Sequence, residues 1–276
     1  MTGYTQPEAL VETDWLESHL SDPHLRLLEI DIDPDACSGQ HLPGAIFWSI
    51  LKDLSHPDMR IKLEPSIVAN LLSQSGITPQ TMVVAYGSNI GVSAVIFWFL
   101  KLFGHDNVRV LNGGHQKWIA EGRPTTDSLG KASPTSYPVG LPNPALRITY
   151  PAVQASLGQS QQVLLDVRTQ QEYNGEHFLF KPPEGSERAG HIPGAIHLDY
   201  VQMLNEDGTF KSAEALRMLL TQHGITPDKT VIPYCAIGGR SAFVWFVLTY
   251  LLGYPNVQNY DGSWNEWSRL PDAPIV

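Results

Sequence analysis

Cysteine is almost absent from this chain: Cys37 and Cys235 are the only two in 276 residues. A disulfide framework is therefore excluded as the basis of the fold, and the pair reads as free thiols of a reducing compartment, each explained by packing or by reactivity. Charge is scarce too, at 17% of residues against roughly 25% in an ordinary globular protein. The shortage is mostly basic, with 18 Lys and Arg against 28 Asp and Glu and a net charge of −10 at pH 7. That balance repels polyanions, which argues against a nucleic-acid-binding face or an acidic-lipid anchor and leaves any anionic ligand to a local positive site. Long apolar runs are missing: Ala94–Leu100 and Ala242–Tyr254 fall short of the roughly 20 residues of a membrane span and read as buried helices. The first twenty residues lack a basic stretch followed by an apolar core, so a cytoplasmic location is expected. No metal-ligand cluster, Walker loop or dinucleotide fingerprint is present, and neither metal nor cofactor is expected.

What the chain does contain is a copy of itself. His41-Leu42-Pro43-Gly44-Ala45-Ile46 returns 150 residues on as His191-Ile192-Pro193-Gly194-Ala195-Ile196, and Gly76-Ile77-Thr78-Pro79 returns 148 residues on as Gly224-Ile225-Thr226-Pro227. Leu111-Asn112-Gly113-Gly114 with Trp118 matches Tyr260-Asp261-Gly262-Ser263 with Trp267 at an offset of 149. A tandem duplication follows. A stretch with Pro134, Pro138, Pro142 and Pro144 and no apolar period predicts domains at 1–124 and 148–276 joined by a linker over 125–147. Each half alternates short β-rich runs (Leu27–Asp31, Met82–Tyr86, Val108–Asn112; Leu164–Val167, Thr230–Tyr234, Val257–Asp261) with helical stretches. That pattern predicts an α/β fold, a mainly parallel sheet flanked by helices in each half. Pro65-Ser66 and Ser212 open helices that close at Gly76 and Gly224.

Duplication supplies an internal control: features of both halves belong to the fold, and features of one half are candidates for function. His41 and His191 sit in the same turn, and Trp118 and Trp267 in the same anchor position, so all four read as structural. The segment Tyr86-Gly87-Ser88-Asn89-Ile90-Gly91-Val92-Ser93 faces Tyr234-Cys235-Ala236-Ile237-Gly238-Gly239-Arg240-Ser241. The second half alone has a thiol, an added glycine and a cation: Cys235 for Gly87, Gly238 for Ile90, Arg240 for Val92. Cys235 stands where a strand hands over to a helix, the place where open α/β sheets bind ligands. Backbone N–H groups from Ala236 through Ser241 and the positive end of the helix dipole favour a thiolate and any anion it carries. Cys37 has no such setting and reads as a packing residue.

With this loop, the repeated HxPGAI turn and Asn259-Tyr260-Asp261-Gly262-Ser263-Trp264, the whole chain resembles the tandem-domain rhodaneses, the thiosulfate and 3-mercaptopyruvate sulfurtransferases. The resemblance implies a silent N-terminal copy and a C-terminal Cys235 that takes sulfane sulfur as a persulfide and passes it to cyanide or a thiol. It implies donor contacts from Ala236, Ile237, Gly238, Gly239, Ser241 and Arg240, and from Arg188, which lies in a stretch absent from the first copy. Thiosulfate is the expected donor, because Arg240 offers a cation to a small dianion, with 3-mercaptopyruvate as the alternative. Thioredoxin or glutathione are the thiol acceptors the resemblance brings, and a monomer is expected. The loop Ala-Ile-Gly-Gly-Arg-Ser matches neither donor class fully, and Glu172-Tyr173 stands where the family often has an Arg-Phe or Arg-Tyr pair. Asp166 and Arg168 read as a structural pair. Two rivals remain: a cysteine phosphatase, whose loop would need five residues between Cys and Arg where this chain has four, and a sulfur-carrier or sensory module loaded by a partner protein.

Overall fold

Runs such as Met-Val-Val-Ala-Tyr are apolar on both faces, and strands of this kind are stable only inside a parallel sheet covered on both sides. Five of them, β1 (Leu10–Val11), β2 (Leu25–Asp31), β3 (Ile46–Ser49), β4 (Met82–Tyr86) and β5 (Val108–Leu111), form a parallel sheet in the order β1-β5-β4-β2-β3. With them go α1 (Thr13–His19), α2 (Pro65–Gln74), α3 (Ile90–Leu102) and α4 (Gly114–Ala120). In the second half, α5 (Tyr150–Ser156), β6 (Gln162–Asp166), α6 (Gln170–Tyr173), β7 (Ile196–His197), α7 (Ala213–Gln222), β8 (Thr230–Tyr234), α8 (Gly239–Phe246) and α9 (Ser263–Trp267) follow, with a parallel sheet in the order β7-β6-β8. The computed structural model describes residues 3–32, 34–37, 39–179 and 181–276, and the side chain of Cys37 lies outside the described residues.

The chain divides into two units. One holds residues Pro7–Asn143 and the hairpin Leu204–Phe210; the other holds residues 3–6, Pro144–Met203 and Lys211–Val276. Residues 125–143 carry neither helix nor strand and lie along the first unit, with Gly130 N–H on the Ala45 carbonyl and Thr135 N–H on that of Ser73. In the second unit, Thr5 and Gln6 donate to the carbonyls of Leu251 and Tyr250.

The duplication is visible in the cores. Tyr86 and Tyr234 end equivalent strands, both fully buried, and their hydroxyls accept the N–H of Leu42 (3.1 Å) and Ile192 (3.2 Å) in the repeated turn. Trp118 and Trp267 are fully buried. His41 bonds the buried carboxylate of Glu29, and His191 the carbonyl of Tyr173. The two tryptophans thus fill the cores, and the two histidines bond within their own halves. Helix α2 begins at Pro65 and is closed by Gly76 at φ 66°; Ser212 caps α7 through Ala215 N–H, and Gly224 follows it at φ 71°.

One expected strand does not form. Val257–Asp261 makes only bridges, Val231 with Val257 and Arg147 with Asn259. Val231 and Pro233 exchange bonds with this segment through Val231 N–H to Asn256, Gln258 N–H to Val231 and Tyr260 N–H to Pro233. Pro233 has no N–H to return, so the ladder is interrupted. Its equivalent in the first half is Ala85, which has the N–H and pairs with Val110 in a complete β5.

Candidate active site around Cys235

Strand β8 delivers Cys235 to the sheet's C-terminal edge, and α8 starts four residues later at Gly239. The thiol is 1% exposed, and its sulfur accepts the Gly238 N–H at 3.2 Å. Gly238 sits at φ 93°, where a side chain is strained, and a Cβ there would stand 2.7 Å from the Asp261 carbonyl. Only glycine closes the loop this tightly. Arg147 holds the Asp261 carboxylate with two bonds of 3.0 and 2.9 Å; burial raises the pKa of Asp261 above the usual carboxylate value, and Arg147 opposes that rise.

The loop is clamped to the start of α9. Trp264 N–H donates to the Cys235 carbonyl (3.0 Å) and Asn265 N–H to that of Ala236 (2.9 Å). Cys235 N–H donates to Ser263 Oγ at 3.0 Å, and the same hydroxyl lies 3.9 Å from the sulfur and 2.8 Å from the Tyr260 carbonyl. Ser263 holds φ 52°, unfavourable for any residue with a Cβ. Among the described residues, the N–H groups of Ala236, Ile237 and Gly239 donate to no protein acceptor. The site therefore presents a buried sulfur beside unengaged N–H groups at a helix N-terminus, an arrangement that accommodates negative charge.

Arg240 belongs to this loop, but its charge is shared. Its guanidinium donates to both oxygens of Glu172, at 2.7 and 2.8 Å, with 12% of the arginine side chain and 2% of the glutamate exposed. Glu172 is fixed from its own side by a capping box at the start of α6, where it accepts from the N–H and hydroxyl of Thr169 at 3.0 Å each. Burial alone would raise the Glu172 pKa, but the hydrogen bonds and charge of Arg240, with help from Thr169 and Arg168, hold it below the usual value. Burial alone would lower that of Arg240; the hydrogen bonds and charge of Glu172 raise it instead. Asp199 also acts on Arg240 through its charge, and burial raises its own pKa.

The other expected site residues have partners of their own. Ser241 Oγ donates to the Gly238 carbonyl at 3.1 Å, which stiffens the loop. Arg188 sends its guanidinium to the carbonyls of Leu270 (2.7 Å) and Ala273 (2.6 Å) and borders a cavity of about 530 Å³ lined also by Phe178, Ser268 and Arg269. Asp166 and Arg168 are a fully buried pair; Arg168 also bonds the Gly190 carbonyl and lies 4.6 Å over the Trp264 ring. Two residues escape a reading of the sequence. Ser263 faces Gly114 across the repeat, a one-half-only difference that could have pointed to it. Glu172 stands out as a departure, with nothing in linear order to show what it touches.

The first half shows what the loop looks like without this chemistry. At Gly87 a Cβ would stand 2.4 Å from the Ile30 carbonyl, so the position has no room for a thiol. Ser88 N–H is taken by Asp31 (3.0 Å) and Gly91 N–H by the Asn89 side chain (2.7 Å). Gly114, the equivalent of Ser263, reaches φ 54° without a Cβ.

Comparison with known proteins finds the same family in both halves. The Rhodanese-like domain family matches residues 12–121 and 149–270. The chain is 45% identical to the sulfur carrier protein TtuD of Thermus thermophilus over 99% of its own length and 98% of the relative's. It is 40% identical to a Haloferax volcanii protein provisionally named a thiosulfate sulfurtransferase, over 97% and 96% of the two chains. Among solved structures, an anaerobic ergothioneine biosynthesis enzyme from Chlorobium limicola superposes with a TM-score of 0.88 at 25% identity, covering 99% of this chain and 71% of that one. A structure of EanB carrying a cysteine persulfide in a tetrahedral intermediate state with ergothioneine gives the same TM-score at 26% identity, again over 99% and 71% of the chains. This chain, with two α/β domains, belongs to the rhodanese-like family.

Proposed function

We propose that the protein is a sulfurtransferase that carries sulfane sulfur on Cys235, with thiosulfate as a small-molecule donor and cyanide or a thiol as acceptor. The observation that carries this reading is the Cys235 sulfur bonded by Gly238 N–H beside the unengaged N–H groups of Ala236, Ile237 and Gly239. The Cys235 thiolate attacks the outer sulfur of thiosulfate; the S–S bond of the donor breaks, sulfite leaves with the bonding pair, and Cys235 holds a persulfide anion. The loop N–H groups lie where that anion needs donors. A cyanide ion then attacks the outer sulfur, leaves as thiocyanate, and returns the thiolate. With 3-mercaptopyruvate the same attack releases pyruvate after protonation of its enolate.

The likeness to TtuD, named a sulfur carrier protein, supports a second reading, in which Cys235 is a sulfur carrier loaded by a partner protein and does not turn over small molecules. Thiocyanate formation separates the two. Turnover with thiosulfate and cyanide in the absence of any other protein is expected from a free-standing transferase; a single loading event without turnover belongs to a carrier. Replacing thiosulfate by 3-mercaptopyruvate in the same assay ranks the donors.

A further inference from the structure

The cation that should greet a dianionic donor is already partnered. Both donor nitrogens of Arg240 that face Glu172 are used, the glutamate side chain is only 2% exposed, and Thr169 locks it from behind. A second carboxylate, Asp199, acts on the same guanidinium. Arg168, the guanidinium on the neighbouring strand end, spends its Nε and Nη2 on Asp166 and the Gly190 carbonyl, and its charge is paired with Asp166, with neither ionic side chain exposed. With a thiolate at Cys235, the charged groups around the loop carry more negative than positive charge. A donor brings its own charge into this low-dielectric site, and each added negative unit is opposed.

We infer that Glu172 makes this site choose sulfane donors by charge, favouring monoanionic donors such as organic thiosulfonates over dianionic thiosulfate. The inference rests on the sulfur-transfer reading above and names the donor class for the same site. Chemistry is balanced for either donor: thiosulfate gives the Cys235 persulfide and the sulfite dianion, and a thiosulfonate gives the same persulfide and a sulfinate monoanion. The two differ by one charge on the donor and on its leaving group. Glu172 touches neither; it acts through Arg240 and is a positioning residue.

The test compares kcat/KM for thiosulfate and benzenethiosulfonate, with cyanide as acceptor, in the wild type, Glu172→Gln, Arg240→Gln and the double variant. Glutamine keeps an oxygen for the Thr169 N–H and for one Arg240 bond. Glu172→Gln is expected to raise kcat/KM for thiosulfate about tenfold, mostly through KM, equivalent to about 1.4 kcal/mol, and to change that for benzenethiosulfonate about threefold or less. Arg240→Gln should shift the donor ratio the opposite way, and the double variant should return it to within about threefold of the wild type. A merely structural glutamate would depress both donors together. Asp199→Asn, which retains the oxygen that accepts Val201 N–H, should favour thiosulfate by about threefold, and it stands in if Glu172→Gln does not fold. Loading of Cys235 by both donors with an unmoved ratio in the folded variants overturns this inference alone. Loading of wild-type Cys235 by neither donor overturns the transfer reading and this inference with it.

Discussion

The loops after β4 and after β8 start from the same strand, the same terminal tyrosine and the same offset in the repeat, and they end in opposite states. After β4 two of the loop's donors are held by side chains, Ser88 N–H on Asp31 and Gly91 N–H on Asn89, and Gly87 is pressed against the Ile30 carbonyl. After β8 the donors of Ala236, Ile237 and Gly239 are left unengaged, the sulfur takes the Gly238 N–H, and a serine accepts a strained backbone to reach the loop. The first-half loop satisfies the donors of Ser88 and Gly91, while the second-half loop leaves those of Ala236, Ile237 and Gly239 without a protein acceptor and holds φ 52° at Ser263. Local violations of this kind, against a matched control in the same chain, mark function more sharply than any single residue does.

The comparison breaks most directly by moving the thiol. Cys235→Ser should lower sulfur transfer by at least about a thousandfold. Adding Gly87→Cys to that variant should restore nothing and destabilise the first unit by about 2 kcal/mol, because the new Cβ meets the Ile30 carbonyl. Thiocyanate release and urea melts measure both. Transfer activity in the double variant would mean that the loop backbone is not what separates the halves.

A second prediction concerns the buried ion pair that only the second half possesses. Arg240→Met should cost about 3 kcal/mol at neutral pH, since Glu172 is left buried without its cation. Glu172 in the folded protein has a pKa held below its ordinary value. Its contribution is therefore fully present above the unfolded carboxyl pKa and is lost as pH falls through the folded one. The stability gap between wild type and variant should shrink when urea melts at pH 7 are repeated in the acid range below about pH 4.5. A gap that widens on acidification would contradict the assignment.

The smallest effect sharpens the comparison at one backbone angle. Ser263→Gly should be more stable than Ser263→Ala by about 1 kcal/mol, because only glycine relieves the positive φ. Both should slow persulfide formation about tenfold by removing the hydroxyl that accepts Cys235 N–H. Thermal melts and single-turnover loading read the two quantities separately.

Much of this is legible without any coordinates. Repetition points to the two α/β halves, and Met82–Tyr86 and Thr230–Tyr234 are strands at the very residues the apolar runs define. The Cys235 loop follows from comparing the halves. What sequence cannot carry are effects of one segment on another. Pro233 interrupts the ladder to the last expected strand only because that segment lies on the side where its N–H is needed. Arg240 reads as a cation available to a donor, since nothing in linear order joins it to Glu172, 68 residues away. Arg188 is expected beside the donor, and its hydrogen bonds go to the backbone at Leu270 and Ala273. The described residues contain no helix long and apolar enough to cross a membrane, as the short apolar runs required.

The central claim is that Cys235 carries the sulfur, and the intact mass of the protein after incubation with thiosulfate tests it most directly. One added sulfur is expected on the wild type, removed by cyanide and never gained by Cys235→Ser. A wild type that gains no sulfur from any sulfane donor, or a Cys235→Ser variant that gains it equally, would contradict the claim.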